Sequence, residues 1–126
     1  MKVLSLENVI IFHEKIIIES GGSAGTRDEC LIESALNRAF ASYDGIDLYP
    51  NIIDKISAIT HSLVGNHGFI DGNKRIGVAV MVLLLKMNSI KIYYTQKELI
   101  ELGLKTAEGL MDEKDISNWI NEHIVD

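Results

Sequence analysis

At 126 residues, 47% hydrophobic and 24% charged, with one proline and ten glycines, the chain has the make-up of one ordered, compact domain and not of a disordered or fibrous segment. Twelve basic against eighteen acidic residues leave a net charge of −6. No run of lysine or arginine is long enough to follow a nucleic-acid backbone, so direct nucleic-acid binding is not expected. The single cysteine, Cys30, cannot close an internal disulfide, and the N-terminus lacks a charged, apolar and cleavable leader. A reducing cytoplasm is the expected compartment.

In chain order, "SLENVIIFHEKIIIES" opens on Ser5, a good N-cap, and runs into Gly21 and Gly22. Val9, Ile10, Phe12, Ile16 and Ile17 recur at helical spacing, which predicts a first helix over about 6–19. After the small and polar "GGSAGTRD", the segment "DECLIESALNRAFA" places Leu31, Ile32, Ala35, Leu36 and Ala39 on one face of a second helix. "SYDGIDLYP" holds an Asp-Gly turn signal and the only proline, and is expected to be an exposed loop or short hairpin, a flap over about 42–50.

"NIIDKISAITHSLVGN" carries an apolar stripe of Ile52, Ile53, Ile56, Ile59, Leu63 and Val64 and predicts a third helix ending near Gly65. From Asn73 to about Met87 the chain is apolar on every side past Arg75, the pattern of a helix surrounded by others. Its apolar run, residues 76–85, is about half the roughly 20 residues that cross a bilayer, so a core helix is expected and a membrane span is not. "NSIKIYYT" reads as a connector with a short extended piece. "QKELIELGLKTAEG" and "KDISNWINEHIV" complete the chain as two further amphipathic helices, with Trp119 and Ile120 turned inward. The expected fold is an all-α bundle of about six helices around a buried central helix, in a single domain over 1–126.

"GNHGFIDGNKR", residues 65–75, stands directly before the central helix. A helix start has backbone N–H groups without intrahelical partners and about half a positive charge, and so holds anions readily. Gly72 lets backbone approach a ligand, Asn73 supplies an amide, and Lys74 and Arg75 add two full charges in the same turn. Asp71 is an acid placed to hold a magnesium ion bridging phosphate oxygens, and His67 can accept a proton near neutral pH. These parts suit phosphoryl or nucleotidyl transfer. From residue types alone an ordinary capped turn accounts for the stretch equally well.

The order His67, Phe69, Asp71, Gly72, Asn73, Lys74, Arg75 resembles the H-x-F-x-D-x-N-K-R motif of the Fic/Doc superfamily, most closely its Doc (death-on-curing) toxin branch. Upstream, "GTRDECLIESALNRA" is similar to the G-x-R-D...L-x-E-S-A-L segment of Doc-like proteins. The likeness runs from about Leu6 to Met87. It implies a compact helical Fic fold in which His67 is general base toward a target hydroxyl and Asp71 the Mg2+ ligand. Asn73, Lys74 and Arg75 would contact phosphate, Gly72 would give backbone donors, and Phe69 would anchor the loop from inside.

The AMP-transferring Fic group resembles H-P-F-x-D/E-G-N-G-R-x-x-R instead. Here Gly68 replaces the proline, Lys74 the second glycine and Val78 the last arginine. A lysine side chain fills anion-hole space and the lost arginine removes a bidentate phosphate clamp. The resemblance therefore favours transfer of the terminal phosphate of ATP to a hydroxyl of a translation protein, of the elongation factor Tu kind, over AMP transfer or an idle binding module. It also implies a separately encoded antitoxin with a segment that folds on the toxin. No [S/T]-x-x-x-E-[G/N] inhibitory pattern occurs in the chain. The flap is expected beside the site, where it holds a target segment by strand addition or is an ordinary surface loop.

His13, His61 and His123 have no spacing that forms a zinc site and are read as structural. Cys30 is expected to be a packed thiol, Asp28 a helix cap and Arg27 a partner in a structural ion pair, all outside the site.

Overall fold

The computed structural model describes all residues, 1–126. Six helices appear in the expected order: α1 (Leu6–Ser20), α2 (Glu29–Asn37), α3 (Ile52–Gly65), α4 (Asn73–Met87), α5 (Gln96–Ala107) and α6 (Glu113–His123). A 3-10 turn, Arg38–Phe40, extends α2, and a two-stranded hairpin, β1 (Ser42–Tyr43) and β2 (Ile46–Asp47), follows it. The architecture is all-α apart from that hairpin. No helix is long and apolar enough to cross a membrane.

Local chemistry sets most of the boundaries. Ser5, Thr95 and Asp112 each close a capping box at the start of α1, α5 and α6, while Asp28 and Asn51 cap α2 and α3 with their side chains. In the hairpin turn Asp44 and Gly45 both adopt left-handed backbone, φ 52° and 77°, the conformation a tight two-residue hairpin demands.

Helix α4 is central as its pattern requires. Ile76, Val80, Met81, Leu84 and Leu85 are buried, and no residue of 76–85 is fully exposed. It lies mainly on α3, with α5 and α1 on its flanks. The α3–α4 crossing is close because of Gly77: a methyl group added there would stand 2.5 Å from Val64 Cγ2. That contact fixes the height of α4, and hence of its N-terminus, over the end of α3.

One expectation needs correction. Cys30 is exposed, not packed. It lies two residues before Ile32, so on a helix that buries Ile32, Ala35 and Leu36 it points the other way. Trp119 turns inward as expected, partly buried against the core cluster, and its ring lies on that of His123, with centroids 3.9 Å apart.

That pair belongs to a latch closing the C-terminal end. Ile92 and Ile124 form an antiparallel bridge, and Tyr93 N–H donates to the His123 carbonyl at 2.9 Å. His123 Nδ1 is 2.6 Å from the Trp119 carbonyl and Nε2 is 2.7 Å from Glu98 Oε2. Both ring nitrogens therefore face acceptors, which only the imidazolium satisfies. Burial alone would lower the His123 pKa, but the hydrogen bonds to Glu98 and Trp119 raise it. The same bond, with the Thr95 amide, pulls Glu98 down to about 2.

The histidine contribution is complete below the ordinary His range and fades as pH rises through the raised value. The glutamate contribution is complete above the ordinary Glu range and fades as pH falls toward 2. Urea titrations of the wild type and His123→Ala should differ most between about pH 4.5 and 6.5 and converge on the alkaline side. A gap that widened above neutrality would contradict the latch.

Candidate functional site

Residues 67–72 cross from the end of α3 to the start of α4, and four contacts give the loop one shape. Phe69 is 2% exposed, and its ring lies flat on that of His13 at 3.8 Å. His13, buried in α1, donates from Nε2 to the Asp71 carbonyl at 2.6 Å. The Asn73 side chain closes a ring with Phe69, accepting from its amide at 3.1 Å and donating to its carbonyl at 3.0 Å. His67, ahead of this brace, sits in left-handed backbone at φ 53°, uncommon for a residue with a side chain.

A splint from the α1–α2 loop holds that conformation. The amides of Arg27 and Asp28 donate to the Gly68 carbonyl at 2.8 and 3.0 Å, and the Ile70 amide donates to the Gly25 carbonyl at 3.2 Å. Arg27 Nε donates to the His67 carbonyl at 2.8 Å. Arg27 thus makes no ion pair, contrary to expectation; it braces the loop, because the carbonyl of His67 lies closer than any carboxylate. Asp28 caps α2 as expected, accepting from the Cys30 amide at 2.9 Å. His13 is structural as expected.

Helix α4 is the one helix without a side-chain cap: its N-cap is Gly72, in left-handed backbone at φ 80°. The N–H groups of Asn73, Lys74 and Arg75 consequently have no acceptor in the chain, and they open into a cleft of about 400 Å³. His67, Asp71, Gly72, Asn73, Lys74 and Arg75 line it, with apolar walls from Val64, Ile70 and Ala107. All the candidate site residues meet there except Phe69, which lies behind.

Each polar side chain has a definite state. His67 and Lys74 are exposed, and their side chains make no hydrogen bond or ion pair. Asp71 accepts from the Ser23 amide at 3.0 Å and the Gly72 amide at 2.8 Å, and Arg75 Nη2 stands 3.7 Å away. Those amides, chiefly that of Ser23, and then the guanidinium, hold its carboxyl below the usual range. One amide on each oxygen leaves lone pairs free for a cation. Arg75 also donates from Nη1 to Ser20 Oγ and the Gly21 carbonyl at 2.7 and 2.6 Å. Asn73, engaged with Phe69, keeps one amide hydrogen for a ligand.

No group of three or more His, Cys, Asp or Glu side chains comes together. A hard cation here would rest on Asp71 and on oxygens brought by a ligand, the way magnesium is commonly held. The flap is rooted away from this cleft: Lys55 touches its base, and about 15 Å of helix axis separate Lys55 from Gly65.

At Gly68, where the AMP-transferring pattern has proline, a methyl group would lie 2.5 Å from Ile32 Cγ1. Gly68→Ala is expected to cost about 1–3 kcal/mol of stability by overpacking, and to cost much less when made in an Ile32→Ala chain, where Cγ1 is gone. Equal losses in the wild-type and Ile32→Ala backgrounds, measured by chemical denaturation, would show that the contact does not set the loop.

The Fic/DOC family profile matches residues 3–85, a span that includes α1 to α4 and the whole motif loop. The protein described as Toxin Doc from Mycolicibacterium smegmatis (strain ATCC 700084 / mc(2)155) is 34% identical over 96 residues, covering 76% of this chain and 69% of that protein. With its motif residues gathered in one cleft at the start of α4, the chain belongs to the Fic/DOC family.

Proposed function

We propose that the protein is a Doc-type toxin that transfers the terminal phosphate of ATP to a hydroxyl of a translation protein, and that an antitoxin neutralises it. The observation that carries this reading is the open N-terminus of α4 with His67 and Asp71 in the same cleft. Unpaired N–H groups and the helix dipole favour phosphate oxygens, and Lys74 adds a free cation. The likeness to a protein described as Toxin Doc supports the toxin reading.

In this reading a ring nitrogen of His67 takes the proton of the target hydroxyl as its oxygen bonds to the terminal phosphorus and ADP departs. Such a positioned base is worth about 10²–10⁴-fold in rate. Asp71 would hold Mg2+, which when bound neutralises phosphate charge in a protein of net charge −6. Phosphate transfer is favoured over AMP transfer because Lys74 stands at the mouth of the phosphate cleft and Val78 offers no second clamp.

The flap would supply the target-holding surface. Tyr43, Ile46 and Leu48 are exposed apolar side chains on a short hairpin with free edges. The roughly 15 Å along α3 from flap root to motif is spanned by about five residues of extended chain. The partner that neutralises the toxin has a candidate seat in the apolar groove of Val78, Leu99, Ile100, Gly103 and Leu104, which opens beside Lys74 and Arg75. An amphipathic segment with an acidic residue suits it.

Incubation with bacterial lysate, Mg2+ and ATP labelled at either the γ or the α phosphate tests the activity. Label is expected from γ only, with loss in His67→Ala and in a chelator. Label from α would establish AMP transfer instead. No label from either would remove the enzymatic reading.

A further inference from the structure

We infer that Lys55 is a positioning residue for target recognition: its ammonium sets where the β1–β2 hairpin stands. This rests on the reading of the flap as the target-holding surface, and the test below separates the two.

The hairpin cannot hold its own place. Each strand has two residues, and an isolated pair of strands is marginal in water. Past Ala41, which bonds back to Arg38, the backbone of 42–50 makes no backbone hydrogen bond to any other element; Leu48 N–H to the Ala41 carbonyl, at 3.0 Å, lies within the hairpin itself. Its position must come from side chains.

Lys55 supplies them from one point. It stands on α3 one turn past the Asn51 cap, with its side chain only 13% exposed. Nζ donates to the Tyr49 carbonyl, after β2, at 2.6 Å and to the Ala39 carbonyl, before β1, at 3.2 Å. Asp47 Oδ2, on β2, is 3.7 Å away, and the Phe40 ring centroid is 5.6 Å away. A lysine has three donors; here two bracket the hairpin's two roots and the third direction faces its second strand. Charged donors on sheltered carbonyls make strong bonds, and removing the donor strands both acceptors.

A second cation holds only one side. The Arg38 guanidinium lies 5.3 Å from the Tyr49 ring centroid, and Arg38 Nε is 3.7 Å from Glu113 Oε2. Without Lys55 the hairpin would keep that contact and pivot about it. The core residues on the same helix, Ile56 and Ile59, do not depend on the ammonium.

The test compares Lys55→Met, which keeps the apolar stem, with Lys55→Arg, which keeps donors and charge. Losing two charge-assisted bonds should speed amide exchange across 42–48 by about tenfold or more, and raise KM for the protein target by a similar factor. KM for ATP and kcat should hold, and Lys55→Arg should restore part of both effects. Should Lys55→Met not fold, Asp47→Lys sets a like charge against Lys55 at an exposed position and should loosen the hairpin in the same way. Unchanged exchange in the variants overturns the inference. Faster exchange with unchanged target KM overturns its functional half. Replacing Ile46 and Leu48 by Asp should abolish target labelling while ATP binding is kept. If that chain labels normally, the flap reading itself fails and exchange alone decides the clamp.

Discussion

The whole site hangs on His13. Its ring is buried in α1, lies flat on Phe69 and gives its Nε2 proton to the carbonyl of Asp71. One side chain thus fixes both the apolar anchor of the motif loop and the backbone of its acid. A buried imidazole without that acceptor would carry a desolvation cost of about 1–3 kcal/mol, so the loop and α1 are coupled in both directions. With the loop held there, Gly72 can start α4 in left-handed backbone with no capping side chain. The amides of the first turn are left free because nothing in the chain is placed to take them.

Around this anchor the chain separates rigidity from chemistry. Rigidity comes from apolar packing: α4 on α3 through the Gly77–Val64 approach, and Phe69 within the same core cluster. The proposed chemistry is confined to the solvent side of one helix end, where the side chains of His67 and Lys74 have no partner in the chain. Arg75 joins the two halves. Its guanidinium is tied to Ser20 and Gly21 at the end of α1, and it reaches Asp71 by the same fork. It steadies the acid while still presenting charge to the cleft, which a lysine at that position could not do with one ammonium.

How much of this the sequence could tell depends on range. Helix limits were legible because caps and glycines are local signals: the central helix over 73–87 and the hairpin turn at Asp44-Gly45 follow from neighbours in sequence. The membership of the cleft was legible too, since His67 to Arg75 lie on one short segment. The supports were not. His13, Ser23 and Arg27 contact the loop from 58, 48 and 40 residues away, and no periodicity reports such pairs. The sequence marks His13 as structural without naming its partner, and marks Arg27 as an ion-pairing residue although it braces His67. The need for glycine at 68 is hidden for the same reason, since the atom that excludes a side chain there belongs to Ile32.

Everything proposed for this cleft depends on phosphate being held at the open first turn of α4. An amide chemical-shift titration with Mg2+ and ATP tests it most directly, with His67→Ala used so that no turnover occurs. The amides of Asn73, Lys74 and Arg75 are expected to move most and to share one dissociation constant. Shifts centred elsewhere, with those three amides unmoved at saturating ATP, would contradict it.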